Sequence, residues 1–398
     1  MAASPHPLRF TGDELAKIAR LPLVWAIIVL CALVNLMMAA TAPANTVARY
    51  NYASAVAVTI GGTVGPDFDR ELTHATAVNA RIPEESTMTA DELHRQLTAV
   101  TRGATNTLAA YDVASTRDAM LAQVAGDPVA TWLMRHKYDA YAARVTHLAD
   151  TGAALDLAAG SATDPTLLHW SSMTGYLFFE TCALAVLLMA LALGYERTAG
   201  TEQLMTATRI GRRLVAPKIA AGLIASTIAY LTLVAAIVAP YLMVFDVRGV
   251  WGASVASQFN TVFGQRPFVT WWDLTIGQYL FARLALGLAI TLCFALFTAT
   301  LGLLVRNTFA VAGCVGVTVL LVIGAVGAAH ATGSPWIAWI GGFNPVGVLL
   351  LREQWFTELG LDAPTAFWET GVTACSLVYL TAALAAARRA FDHRDLVS

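Results

Sequence analysis

Apolar residues are concentrated in six stretches: Leu21 to Ala42, Ser172 to Gly194, Ile219 to Val244, Ile276 to Val305, Phe309 to Ala329 and Phe367 to Ala387. Each is long enough to cross roughly 30 Å of hydrocarbon at about 1.5 Å per helical residue, so six membrane-crossing helices are predicted. Ahead of the first, Thr11-x-x-Glu14 has the spacing of a capping box and predicts a helix start at that point. Leu15, Ile18, Ala19 and Pro22 interleaved with Lys17 and Arg20 then read either as an amphipathic helix on the membrane surface or as a charged flank of the first span.

Between the first two spans lies an insert, residues 43–170, whose pattern is mainly helical. Thr89-x-x-Glu92 is a second capping box, and Leu93, Leu97, Val100, Ala104, Leu108 and Tyr111 continue one face at spacings of three and four. Gly126 is positioned to close a short helix, and Asp127-Pro128 supplies a cap followed by proline in the first turn. Trp132, Leu133, Tyr141, Val145 and Leu148 extend the next helix until Gly152, and Asp164-Pro165 repeats the start signal. Residues 44–62 are open to two readings, because Val56, Val58 and Ile60 alternate like a strand while the segment can equally prolong the first helix. Residues 330–366 are apolar but interrupted by Pro335, Gly341, Gly342 and Pro345, which predicts short broken helices dipping into the outer leaflet, or else a plain loop.

Of the 398 residues, 57% are hydrophobic and 13% charged, where a soluble globule has about 25% charged residues. Charge placement orients the spans. The two termini and the loops after the second and fourth spans carry twelve Lys and Arg, whereas the opposite short loops hold Arg248, Arg266 and Arg352. The positive-inside rule therefore places both termini in the cytoplasm and the insert, with nine Lys/Arg against fourteen Asp/Glu, outside. The first run ends at Ala40-Thr41-Ala42, a small-residue pattern shared with cleaved signals, but its length and the following Pro43 favour retention as a span. All five cysteines fall within predicted spans, so the insert has no disulfide framework and its core is expected to suffice alone.

Chemistry is sparse. The three lysines follow Ala16, His136 and Pro217, so there is no glycine-lysine phosphate cradle, and ATP hydrolysis is not expected of this chain. Five of the eight histidines lie in the insert without metal-ligand spacing and read as solvated, and no G-x-S-x-G occurs. No metal, cofactor or nucleic-acid partner is expected. Ionisable residues in hydrocarbon are costly, which singles out Glu180 and Arg283, at matching depth in the second and fourth spans. They read either as a pair flanking a polar path or as two residues independently reaching the outer interface. Asn35 reads as a hydrogen bond between helices.

The loop after the second span, ERTAGTEQLMTATRIGRRLVAPK at 196–218, together with FTATLGLLVRNTFAVAG at 297–313 and ELAKIAR at 14–20, resembles the permease subunits of type-2 ATP-binding-cassette exporters. The resemblance covers the first 40 residues and residues 172–388, with six spans and the broken segment before the last, but not the insert. It implies an all-α polytopic protein in a bacterial plasma membrane, whose 196–213 segment is a coupling helix docked on a separate ATPase subunit that carries ATP and Mg. The implied coupling residues are Glu196, Gly200, Thr201, Glu202, Leu204, Met205, Arg209, Arg212 and Arg213. Acidic residues at the start and arginines at the end suit a helix dipole, and Leu204 and Met205 offer an apolar anchor. The alternative for this loop is a basic segment that orients the chain and binds lipid head groups.

The resemblance further implies a second permease copy, identical or related, meeting this one through the first, second and fifth spans, with Gly313, Gly316, Gly324 and Gly327 permitting close packing. The cargo class it suggests is a peptide, an antibiotic or drug, or a lipid. Two other functions compete: a membrane-anchored sensor or immunity protein whose insert binds a ligand, and an intramembrane enzyme.

Overall fold

The computed structural model describes residues 7–75, 78–158, 166–201, 211–260, 267–305 and 307–393. Helix α1 (Pro7–Ala19) bends by 69° into α2 (Pro22–Ala40). The insert supplies α3 (Ala44–Ile60), α4 (Pro66–His74), α5 (Ala90–Thr101), α6 (Val113–Gln123) and α7 (Pro128–Asp150). Then follow α8 (Thr166–Thr198), α9 (Val215–Val244), α10 (Ile276–Leu304), α11 (Thr308–Thr332), the short α12 (Pro335–Gly342) and α13 (Pro345–Leu350), and α14 (Trp368–Asp392). Among the described residues five helices are long and apolar enough to cross a membrane, six when α1 and α2 are counted as one broken span. Strand pairing among them is confined to isolated bridges such as Thr63 with Asp156.

Helix α8 packs against both α9 and α10, α10 against α14, and α2 against α9. The apolar face of α1 lies on this bundle, where Ile18, together with Val24 in the first turn of α2, joins Leu188, Ala192, Ala221 and Ala225. Helix α1 already runs through Thr11, so that spacing does not mark a helix start, and Glu14 is drawn into an ion pair with Lys17 at 2.7 Å. Residues 44–60 are helix rather than strand, because Val47 to Ala57 are buried on nearly every side and alternation carries no meaning there. The signals at Thr89 and Asp127 act as caps, accepting from the backbone N–H groups of Glu92 and of Val129 and Ala130. Gly152, with φ +70, ends α7. The Asp164-Pro165 signal lies outside the described residues. The 330–366 segment is broken as its prolines and glycines predict: α12 runs back along α11, with Gly341 against Ala325, and Asn344 caps α13 through the N–H groups of Val346 and Gly347.

The core of the insert does not stand alone. Tyr52, Val56, Phe68, Leu72, Leu93 and Leu97 share a cluster with Ala253, Phe259 and Ile276, and Met134, Tyr138 and Tyr141 pack with Val269, Trp271 and Trp339 from the loops that join the later spans. With no disulfide available, the insert obtains apolar area from those loops instead. Polar clamps add direction to the packing. Fully buried Asn51 donates to the carbonyls of Arg81 (2.9 Å) and Val244 (3.1 Å) and accepts from the Asp246 N–H at 2.6 Å. Arg144 donates to the carbonyls of Thr270 and Trp272, both at 2.8 Å, and to the Asp273 carboxylate at 2.6 Å. Lys137, 3% exposed, donates to the carbonyls of Glu358 (2.8 Å), Gly360 and Ala363 (2.9 Å), with the Glu358 carboxylate 3.7 Å away.

Burial pushes the Lys137 ammonium down to about 8, against the opposing pull of Glu358 and Asp362. Lys137→Met leaves three carbonyls unpaired and removes the cation beside the Glu358 carboxylate, and is expected to lower stability by about 3 kcal/mol at pH 7, the scale for removing one partner of a buried pair. The folded-state value lies below the ordinary 10.5. Between about pH 8 and 10.5 the unfolded chain therefore holds more protons at this site, and the wild type gains stability relative to Lys137→Met as pH rises through that window. Melting temperatures of both proteins in detergent at pH 7.5 and 9.5 check this; a constant difference between them would refute it.

Candidate coupling site

The segment Glu196-x-x-x-Gly200-Thr201 is a helix stop. Gly200 has φ +69, its N–H donates to the Arg197 carbonyl at 3.1 Å, and the Thr201 N–H reaches back to the Glu196 carbonyl at 2.9 Å. This is the paired hydrogen-bond pattern of a Schellman cap, which needs glycine at the left-handed position. Glu196 has a second task. Its carboxylate, 6% exposed, accepts from Lys17 Nζ on α1 at 3.0 Å and from Lys218 Nζ on α9, while Lys17 also binds Glu14 at 2.7 Å. Four charged side chains thereby join α1, α8 and α9 at the root of the loop.

The same end of α8 reaches two further helices. Arg197 donates to the carbonyls of Gly302 and Val305, both at 3.1 Å, so it caps the last turn of α10. At Gly194 the backbone meets Thr308 so closely that a Cβ would lie 2.3 Å from its Oγ1, which brings α8 against the first turn of α11. Asn307 caps that turn by accepting from the N–H groups of Phe309 and Ala310. Displacing the end of α8 at this stop therefore strains five helices at once.

Of the coupling residues expected from sequence, Glu196, Gly200 and Thr201 lie in this stop. Glu202, Leu204, Met205 and Arg209 fall outside the described residues. Arg212 belongs to a 3-10 turn at Gly211–Leu214 that leads into α9, and Arg213 on the same turn is exposed. Sequence reasoning treated Lys218 and Lys17 as orienting charges and Glu14 as a cap. Their signal was opposite charge at the ends of neighbouring spans, a pattern that names partners only once the helices are placed.

Glu180 and Arg283 are not brought together. Glu180 accepts from Asn35 Nδ2 on α2 at 2.6 Å. Arg283, 1% exposed, donates to Thr174 Oγ1 (2.8 Å), Tyr279 OH (3.0 Å) and the Arg352 carbonyl (2.8 Å), and lies 5.6 Å from the ring centres of Tyr279 and Trp355. The reason is azimuth. Thr174, which faces Arg283, and Glu180 are six residues apart on one helix, hence roughly 120° apart around its axis at about 100° per residue. Depth alone does not make two residues neighbours. Asn35 acts as the interhelical hydrogen bond its type predicts.

No family model matches the chain, and neither a curated protein nor a solved structure matches it.

A double-mutant cycle on Glu196→Gln and Lys218→Met is expected to return a coupling of about 1–3 kcal/mol, as for a charged hydrogen bond. Gly200→Ala should cost about 1 kcal/mol because alanine resists the left-handed conformation. Thermal melts in detergent measure both. Additive effects in the cycle would show that the carboxylate and the Lys218 ammonium act independently.

Proposed function

We propose that this chain is the permease subunit of an ATP-driven exporter of the type-2 ATP-binding-cassette kind, working with separate ATPase subunits and a second permease copy. The observation that carries the reading is the helix stop at Glu196-Gly200-Thr201 with its ion node. It converts a short polar loop between two span-length helices into a handle fixed to α1, α8, α9, α10 and α11. A motor needs such a handle, because force applied to a loose loop is absorbed by the loop. On this reading the segment at 196–213 docks on the ATPase, the termini and this loop are cytoplasmic, and the 43–170 insert is extracytoplasmic.

A second copy is supported by α11, where Val311, Val315 and Ala329 are the buried residues and Gly313, Gly316, Gly324 and Gly327 have open space where a Cβ would stand. Small residues on an open helix face allow another helix to approach closely. The cargo is a peptide, a drug-like molecule or a lipid. One observation favours the sensor reading: a polar cavity of about 110 Å³ between the insert and the later loops, bounded by Tyr111, Tyr141, Gln354 and Glu358. The shared core makes the insert inseparable from the bundle, which fits an exit lid better than a detachable receptor.

The test is purification of the tagged full chain from its native membrane with an assay for Mg-dependent ATP hydrolysis in the eluate. ATPase activity is expected with the wild type and is expected to fall at least tenfold with Leu204→Asp, at an unchanged melting temperature. An epitope inserted after Thr206 should bind impermeant antibody in permeabilised cells and not in intact ones. Binding on intact cells would reverse the orientation and end the proposal.

A further inference from the structure

Between α10, α11, α14 and the α12–α13 turn lies a cavity of about 290 Å³, bounded among others by Phe294, Phe297, Val319, Val322, Asn344 and Tyr379. Its depth follows from position along the helices. Val319 stands eleven residues from Thr308 and thirteen from Thr332, roughly 17 to 20 Å from either end of α11 by helical rise. Tyr379 is similarly central in α14. If these helices cross a bilayer, the cavity lies near its midplane.

Two of the polar side chains that border it, Asn344 and Thr318, are already engaged. Asn344 donates to the Gly341 carbonyl at 2.7 Å and accepts from the Val346 and Gly347 N–H groups, both at 3.0 Å, while the Thr318 hydroxyl donates to the Cys314 carbonyl at 2.9 Å. A water in the cavity would need two or more polar partners, and an apolar cavity of about 150 Å³ stays dry and takes up benzene instead. This one is nearly twice that size. It is not sealed. Tyr379 and its neighbour Val378 are 41% and 72% exposed on α14, and α11 and α14 barely meet, which leaves a mouth between two helices that face the surroundings.

We propose that this cavity is a binding site for one alkyl chain of a membrane lipid, entering sideways between α11 and α14 beneath the turn at Gly342–Asn344. The proposal rests on the membrane-spanning reading. The chain fills the gap between α11 and the rest of the bundle, supplying dispersion contacts that α11 otherwise lacks over its middle. The α12–α13 turn forms the adjoining wall, so occupancy also fixes the position of Asn344.

The test uses phosphatidylcholine vesicles containing the full-length chain, with a diazirine near the end of the lipid's acyl chain, illumination, and mapping of the adducts by mass spectrometry. Cys293 and Phe294, 0% and 8% exposed, border the cavity and are out of reach of bulk lipid, whereas Ile228 and Leu231 on α9, 52% and 54% exposed and away from the glycine face of α11, report on bulk lipid. Adducts are expected on both sets. Val319→Phe and, separately, Val322→Phe fill the cavity and should cut labelling of Cys293 and Phe294 at least fivefold, leaving Ile228 and Leu231 unchanged and the melting temperature equal or higher. Leu231→Phe, on the exposed face of α9, serves as the control and should leave labelling of Cys293 and Phe294 unaltered. Adducts on Ile228 and Leu231 with none on Cys293 or Phe294 overturn the site alone, as does labelling of the inner pair that neither filling variant reduces. Absence of adducts from all four residues overturns the membrane placement and the site with it.

Discussion

A carboxylate held between two ammonium groups at the end of α8 sets the geometry of one whole end of the molecule. Taking Glu196 out of water is costly, and the attraction of Lys17 and Lys218 offsets that cost without guaranteeing a net gain in stability. What the arrangement does secure is direction. The main-chain carbonyl of Glu196 closes the helix stop while its side chain binds α1 and α9, so the chain leaves α8 at a fixed angle and a fixed rotation. A hydrophobic contact at that position would hold the helices together but would tolerate sliding. A pair of charged hydrogen bonds, short and directional, tolerates it far less.

The opposite end is organised by the same kind of interaction with the acceptor changed. There, cations on α7 are inserted among backbone carbonyls, Lys137 with Glu358, Gly360 and Ala363, and Arg144 with Thr270 and Trp272. These loops lead directly into α14 and α10. Helix α10 therefore joins the two ends. Arg197 holds its last turn, and the loops that Arg144 grips lead into its first. A rotation of α10 started at its last turn would reach the insert directly, because the insert shares its apolar core with the segment that begins that helix.

Much of this was legible from pattern alone. Six apolar runs became six helices within a few residues, since lipid-length apolar stretches admit few other structures, and the breaks at Pro335, Gly341 and Pro345 were visible because proline and glycine act locally. Asp127 and Thr89 were legible as caps for the same reason. The amphipathic reading of residues 15–18 anticipated a buried face but not what it faces. Residues 44–60 were ambiguous because periodicity distinguishes helix from strand only when one side is wet, and residues 47–57 are buried on nearly every side. The ion node stayed hidden because Lys17, Glu196 and Lys218 are brought together by the packing of three helices, and nothing local in the sequence encodes that. Reading the insert as self-sufficient failed through the same blindness, since its missing core residues, Trp271 and Trp339 among them, are more than a hundred positions away.

The intramembrane charges show where such reasoning must add a coordinate. Matching depth made Glu180 and Arg283 look like a pair, yet rotation about α8 sends one toward α2 and leaves the other beneath the loop at Arg352. Arg283 is a staple. Its terminal nitrogens are committed to a threonine, a tyrosine and a loop carbonyl, and its flat faces lie near two aromatic rings, so it has little left with which to solvate a passing molecule. Glu180 is only partly buried and Asn35 is its partner, so on the exporter reading any polar surface that α8 offers to cargo runs along its α2 side. Helix α2 is continuous with α1, and α1 carries Lys17. The residue that grips Glu196 and the residue that binds Glu180 thus stand on two arms of one bent segment, which makes the 69° elbow a second mechanical route, beside α8 itself, from the end of α8 to the middle of the bundle.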